Sequence, residues 1–274
     1  MKQSISVFLN RTGDWLRNIK CRDFLLILLG ILLISYTITS ITASRKKAAE
    51  LSIAGQTLNG PEITSFLYNS EKFRQLKYEE AWLSSCITAA KKNIFTLAVD
   101  LPDSTLSINL GGTMLYHARA EKISPEKWFS SLSPEALLSL QSSPQILTRQ
   151  WATFKKEPIV IKQAPENSQE ALAPQTIPDT TITKPLMMLL SLDNQINLAI
   201  IQSDKTKGYG RAKLSLKMHL EGKRAAATIR SMFNRKNKIY IPLITLEIPQ
   251  KNCETIYRAL PDSALVTLRI NNLN

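Results

Sequence analysis

The chain has 274 residues, with 35 Lys and Arg against 22 Asp and Glu, 44% hydrophobic residues, 9 glycines, 3 cysteines and 2 histidines. This composition excludes a disordered tail or a collagen-like chain. Gly111-Gly112 is the one adjacent glycine pair and no G-x-G-x-x-G or G-x-x-x-x-G-K-[ST] loop occurs, which sets nucleotide binding through a glycine loop aside. So few Cys and His residues do not build a four-cysteine or mixed zinc site, and neither a metal nor another cofactor is expected.

Residues 1–23 form a basic tail in which Val7, Phe8, Trp15 and Leu16 are interspersed with Lys2, Arg11, Arg17, Lys20 and Arg22. Its expected role is to set topology. Residues 24–43, FLLILLGILLISYTITSITA, carry no charge. Twenty helical residues rise about 30 Å, the thickness of the hydrocarbon core, so a single transmembrane helix is expected. Its second half holds Ser35, Thr37, Thr39, Ser40 and Thr42, whose hydroxyls can bond back to the helix backbone. The run is longer than the roughly 7–15 apolar residues of a cleaved signal peptide, which favours an uncleaved signal-anchor. Five basic residues precede the span and three follow it, Arg45, Lys46 and Lys47. The positive-inside rule then places the N-terminus in the cytoplasm and the body outside it. The expected location is the bacterial inner membrane, with the body in the periplasm or its equivalent.

Residues 44–69 read as a polar stalk with a helical start, and residues 70–274 as one extracytoplasmic domain. Over 70–93, Phe73, Leu76, Leu83, Ile87 and Ala90 recur at three, four or seven residues. That spacing predicts a helix with one apolar stripe, expected to pack on the core. From Ile94 to Ser124 two turns, Leu101-Pro102-Asp103-Ser104 and Gly111-Gly112, divide β-rich runs into a three-strand meander. Ser124-Pro125-Glu126 and Ser133-Pro134-Glu135 each combine an N-cap, a proline at the first helical position and an early acid, predicting two short helices. Pro158–Ala164 reads as a short strand and 165–185 as a proline-rich surface loop. Strands are expected at 186–192, 195–203, 211–220 and 239–248, with Asp193-Asn194 as a hairpin turn. A helix over 250–260 and a last strand over 264–270 complete an α+β body, mostly antiparallel and β-rich with peripheral helices.

Residues 204–274 hold 14 basic and 5 acidic side chains. As a strand, RAKLSLKMHL puts Arg211, Lys213, Lys217 and His219 on one face and Ala212, Leu214, Leu216, Met218 and Leu220 on the other. With Lys223 and Arg224 they form a candidate face for anionic ligands, such as lipid headgroups, envelope phosphates or the carboxylates of cell-wall stem peptides. The alternative is a solvated outer face. Nucleic acid is not an expected partner for an extracytoplasmic body without a recognition module. Cys86 and Cys253 both fall on predicted helices, where a disulfide or two apolar thiols are both compatible with the pattern. No Ser-His-Asp constellation can be assigned, and His117 reads as a strand residue with local hydrogen bonding.

LAVDLPDSTLSINLGGTMLYHA resembles the opening hairpin of YkuD-type L,D-transpeptidase domains, in which "VDL", a turn, "L-x-[IV]" and "G-x-x-L" recur. IPLITLEIPQKNCETIYRALPDSALVTLRI resembles their closing helix and strand. Together these pieces cover about 60 residues. The resemblance implies a curved β-sandwich and, in the family, a cysteine nucleophile within S-H-G-C. This chain has no S-H-G-C, and Cys253 follows Lys251 and Asn252 inside the closing helix. No catalytic residue carries over. The expectation is a degenerate, non-enzymatic module on a single-pass anchor that binds peptidoglycan or other envelope proteins. The rival readings are an active transpeptidase with an atypical site at Cys86 or Cys253, and a component of a membrane assembly platform.

Overall fold

The computed structural model of the chain describes residues 21–58, 70–156, 184–233 and 239–270. The tail up to residue 20, the strand expected over 158–164 and nearly all of the loop expected over 165–185 lie outside them.

Helix α1, Cys21–Leu58, runs unbroken for 38 residues. Its segment Leu25–Gln56 is long and apolar enough to cross a membrane. The hydroxyls behave as their positions suggest: Thr37 donates to the Ile34 carbonyl at 2.8 Å, Thr39 to Ser35 at 2.7 Å and Thr42 to Ile38 at 2.9 Å. The first part of the expected stalk, 44–58, continues the same helix and lies on the domain. Ala43 is buried, the Trp128 indole donates to the Ser44 carbonyl at 3.3 Å, and the Lys47 ammonium donates to the carbonyls of Asn194 at 2.6 Å and Tyr240 at 3.2 Å.

The meander appears as expected. Helix α2, Glu71–Lys91, leads into β1, Thr96–Asp100, β2, Thr105–Leu110, and β3, Thr113–Arg119. Gly111 and Gly112 take φ of 56° and 84°, the left-handed region that a residue without Cβ adopts without strain. The chain then crosses to β4, Lys122–Pro125, helix α3, Lys127–Ser130, helix α4, Pro134–Gln141, and β5, Gln145–Ala152. After residue 184 follow β6, Met187–Leu192, β7, Asn197–Gln202, helix α5, Tyr209–Phe233, β8, Leu243–Ile248, helix α6, Gln250–Ala259, and β9, Leu265–Arg269.

All nine described strands join one sheet, in the order β3-β2-β1-β9-β5-β6-β7-β8-β4. The pairs β1/β9 and β7/β8 are parallel, the second joined through α5, and the other pairs are antiparallel. Strand β5 is the hinge of the sheet, pairing with β9 through Gln145 and Ile146 and with β6 from Leu147 onward. The sheet cannot be flat. Eight inter-strand steps of about 4.8 Å would separate its edges by about 38 Å. Yet Arg119 of edge strand β3 and Lys122 of edge strand β4 are three residues apart in the chain, which reach about 11 Å at most. The sheet therefore curls until its two edges approach at this corner.

Curling gives the strands an inside and an outside. Leu97 and Val99 of β1, Leu106 and Ile108 of β2, Met188 and Leu190 of β6, Leu198 and Ile200 of β7, and Ile244 and Leu246 of β8 share one core, joined by Phe129, Leu140 and Ile256 from the helices. The alternate residues Met187, Leu189, Ala199 and Ile201 face outward and are covered by Ala212, Leu216 and Leu220 of α5. On the other half, α2 packs with Tyr78, Ser85 and Ala89 inward.

Four expectations change. Residues 211–220 are helical, part of α5. Ala212, Leu216 and Leu220 recur every four residues, so their spacing satisfies the period of a strand and that of a helix alike; the Ala-rich stretch that follows favours the helix. Leu214 and Met218, expected on the buried face, are exposed. Ser124-Pro125 does not start a helix. It ends β4, where Ser124 pairs with Thr245 and Pro125 with Ile244 at the sheet edge, and the short helix begins after Glu126. Strand β5 is an addition to the expected elements. Lastly, the stripe Leu76, Leu83 and Ile87 of α2 does not pack on the core but faces solvent. The second cap holds, with the Ser133 hydroxyl accepting from the Ala136 N–H at 3.3 Å.

Candidate anion-binding cleft

Helix α5 lies across β6 and β7 because one face of it is apolar, and this packing fixes what its flanking residues confront. One flank, Met218, His219, Gly222 and Lys223, faces Thr148–Trp151 of β5 and Ser191 of β6, with Asp262 from the α6–β9 turn closing the end. The space between them measures about 750 Å³. The Trp151 ring and the His219 imidazole stack at 4.8 Å with an interplanar angle of 13°. The Lys223 ammonium reaches the floor, donating to the Ser191 hydroxyl and, at 3.4 Å, to Asn197 Oδ1. Among the described residues, Asn197 Nδ2 and Gln150 Nε2 are buried without a hydrogen-bond acceptor.

The cationic groups sense one another. Burial, and then the nearby Arg149, push the Lys223 pKa below its ordinary value. Burial, and then the charge on Lys223, do the same to His219. Among the described residues Asp262 is the one carboxylate in the lining, and Lys156, which donates to Gln150 Oε1 at 3.0 Å, feels its charge. Such a cleft favours a ligand that brings negative charge, because an anion relieves both the mutual repulsion and the cost of burying Lys223.

The candidate face divides once it is helical. His219 and Lys223 enter the cleft. Arg211, Lys213 and Lys217 are exposed outside it, and the Lys213 ammonium lies 5.8 Å from the Tyr209 ring centre. Arg224 turns the other way, pairing with Glu126 at 2.8 Å and donating to the Ile241 carbonyl at 3.0 Å. Arg149 and Trp151 escape a sequence reading that leaves β5 out. The signal is present all the same: QILTRQWA is rich in β-formers and follows a Ser-Ser-Pro break after α4.

Cys86 and Cys253 are free thiols. Cys253 is wholly buried and its thiol pKa is raised by that burial, while Cys86 is half-buried, with its thiol also pushed up, 3.7 Å from the Thr267 hydroxyl. A buried thiol held protonated is the opposite of an activated nucleophile. His117 is exposed on β3. Among the described residues, no group of three or more His, Cys, Asp or Glu side chains could hold a metal ion.

No family model, curated protein or solved structure matches the chain.

Proposed function

We propose that the chain is a single-pass, non-enzymatic binding protein of the cell envelope, anchored by residues 24–43 with its N-terminus in the cytoplasm. In this reading its domain captures a carboxylate-bearing ligand, such as a cell-wall stem peptide, in the cleft between β5 and α5. The observation that carries the reading is the convergence of Arg149, His219 and Lys223 around one cavity with a stacked aromatic wall at Trp151. In this reading the domain rests against the outer end of the anchor, where Tyr36 and Ser40 line a small hollow with Glu126, Arg224 and Tyr240. The partial resemblance to L,D-transpeptidase domains points to the same ligand class, with binding retained and the nucleophile absent. The elevated thiol of Cys253 argues against the rival transpeptidase.

Two measurements test this. A cysteine placed at Asn167 is expected to react with a membrane-impermeant maleimide on intact cells. Reaction only after lysis would move the domain to the cytoplasm. For the cleft, full-length protein in detergent is sedimented with isolated cell-wall sacculi. Arg149→Glu combined with Lys223→Gln is expected to lower binding at least tenfold, and salt to weaken the wild type, since exposed charges are screened over about 8 Å at physiological ionic strength. Lys213→Glu with Lys217→Glu, outside the cleft, is expected to change it far less. The pH dependence has a definite sign. His219 titrates below its ordinary value, and a bound anion raises it, so binding takes up a proton and tightens as pH falls from about 8 to about 5.5. His219→Ala should flatten that dependence. Equal binding by the cleft variant and the wild type would rule the cleft out.

A further inference from the structure

Helix α5 reaches past the end of the sheet on the side from which α1 leaves the domain. Arg224 still lies beside the strands, donating to the Ile241 carbonyl at 3.0 Å, two residues before β8 begins. Farther along, the Ser231 hydroxyl accepts from the Ile239 N–H at 3.0 Å, and the helix ends at Phe233. The residues after Arg224 therefore overhang the sheet by up to about 13 Å. Along this overhang Thr228 and Ser231 are buried, while Ile229 is 50% exposed and Arg230 is exposed beside it. Helix α1 passes the same place. Tyr36, Ser40 and Ala43 share the face of α1 that meets the domain, with Tyr36 and Ser40 lining the small hollow together with Ala227 and Thr228. Ile34, Ile38 and Ile41 occupy the opposite face of α1 and are exposed.

The length of the apolar run decides what covers this overhang. Arg22 and Asp23, the last charged residues before the run, fix its inner end. From Asp23 the helix rises about 20 Å to Tyr36 and about 26 Å to Ser40, short of the roughly 30 Å of hydrocarbon that a spanning helix crosses. Tilting α1 lengthens the path and enlarges the shortfall. The outer boundary of the hydrocarbon then falls beyond Ser40, at the level of the overhang. We propose that the C-terminal end of α5 is a second membrane contact, seated end-on in the headgroup layer of the leaflet next to the domain. Ile229 reaches the acyl chains, and the Arg230 guanidinium lies among the lipid phosphates. The proposal rests on the anchoring reading of α1. Both side chains suit the site. An aliphatic residue gains free energy by leaving water there, and a long cationic one lays its stem along the acyl boundary while its charge stays with the phosphates. The charges that line the hollow are already matched, Arg224 with Glu126 at 2.8 Å and with Glu221 at 3.5 Å, which lowers the cost of bringing them to the interface.

The test places one nitroxide at a time on the full-length chain in vesicles of phosphatidylcholine and phosphatidylglycerol. Cys21 and Cys86 are replaced by serine, Cys253 stays in its buried place, and the label is carried by Ile31→Cys, Ile229→Cys or Leu214→Cys. Each label is read by its collisions with oxygen, which concentrates in hydrocarbon, and with a water-soluble nickel chelate. Ile31 reports on the anchor. Leu214, 58% exposed on the same helix and about 22 Å from Ile229, reports on the water above the membrane. The labels at Ile31 and Ile229 are expected to collide with oxygen and to lose their collisions with nickel, and the label at Leu214 to do the reverse. A lipid-embedded Ile31 label with an Ile229 label open to nickel would overturn the contact and leave the anchor standing. An Ile31 label open to nickel would remove the anchor, and the contact with it. An Ile229 label shielded from both reagents would mean that protein covers the overhang. A Leu214 label shielded from nickel would lay the whole of α5 on the bilayer, and either result ends the case for an end-on contact. Because Ile229 is half-exposed, its substitution is expected to leave the melting temperature of the chain unchanged.

Discussion

Replacing Gly55 by alanine will loosen or detach α1 from the domain, although in an isolated helix the same change is favourable by about 1 kcal/mol. A Cβ at this position would lie 1.8 Å from the carbonyl oxygen of Glu135 and 2.3 Å from its carbonyl carbon. Those atoms are backbone at the start of α4, tied down by the Ser133 cap, and they have no rotamer to adopt. Helix α1 must retreat as a body, and with it go the packing of Ala48 and Leu51 on the core and the hydrogen bond between the Ser133 and Ser52 hydroxyls. Overpacking of this kind costs about 1–3 kcal/mol or more, and the lost contacts add to it, so the net expectation is a loss of about 2–4 kcal/mol. Chemical denaturation in detergent measures it. Limited trypsin digestion gives a local reading, because Lys47, held by two carbonyls in the native chain, becomes a cleavage site once the helix leaves. Gly30 is the control: nothing lies within 4 Å of a Cβ built there, and Gly30→Ala should cost nothing. Equal stability of the two variants would mean that α1 and α4 do not touch.

The second large effect is expected at the junction of β1 and β9, where Asp100 and Arg269 are neighbours in the parallel register. Their charged atoms meet at 2.9 Å with side chains only 10% and 18% exposed. The guanidinium also reaches Asp103 at 3.3 Å and lies over the Trp82 ring at 5.2 Å, so it pins α2 to the sheet as well. Arg269→Met keeps much of the apolar stem but leaves the Asp100 carboxylate in a shielded place with only the Asp103 N–H, at 3.2 Å, to satisfy it. Breaking a pair of this kind from one side costs about 3 kcal/mol. Asp100→Asn, which retains that acceptor, should cost less, about 1–2 kcal/mol. Urea titrations of both single variants and the double variant give the coupling. A loss below about 1 kcal/mol for Arg269→Met would place the pair among solvated surface bridges instead.

The elements legible in the sequence are those whose signal is local. The uncharged run from Phe24 needs no partner to be recognised, and neither do the meander, with its glycine turn at 111–112, or the Ser133 cap. Each rests on the physics of a few consecutive residues. Residues 211–220 show the limit of that reading. Alternating charge and hydrophobicity fits a strand, but the buried subset Ala212, Leu216 and Leu220 fits a helix equally, and only the underlying β6–β7 surface selects among the apolar residues. Strand β5 has adequate composition, but its importance lies in joining two halves of a sheet, which no property of QILTRQWA encodes.

By itself, then, the sequence determined that this chain carries one apolar helix long enough for a bilayer, followed by a basic α+β body without a glycine loop or zinc motif. It also determined that α2 bears a continuous apolar stripe. Only the tertiary structure decided which way that stripe faces. Helix α2 has two surfaces able to pack, and the sheet took the one with Tyr78, Ser85 and Ala89, leaving Leu76, Leu83 and Ile87 outside. The same holds for the cleft. Arg149 and Lys223 are 74 positions apart and meet because the curled sheet and the α5 crossover place β5 beside the helix. Periodicity reports that a face is apolar or charged, because it depends on the spacing of residues along one element. What that face meets depends on contacts between elements distant in the chain, and those are set by the pairing of strands across the whole sheet.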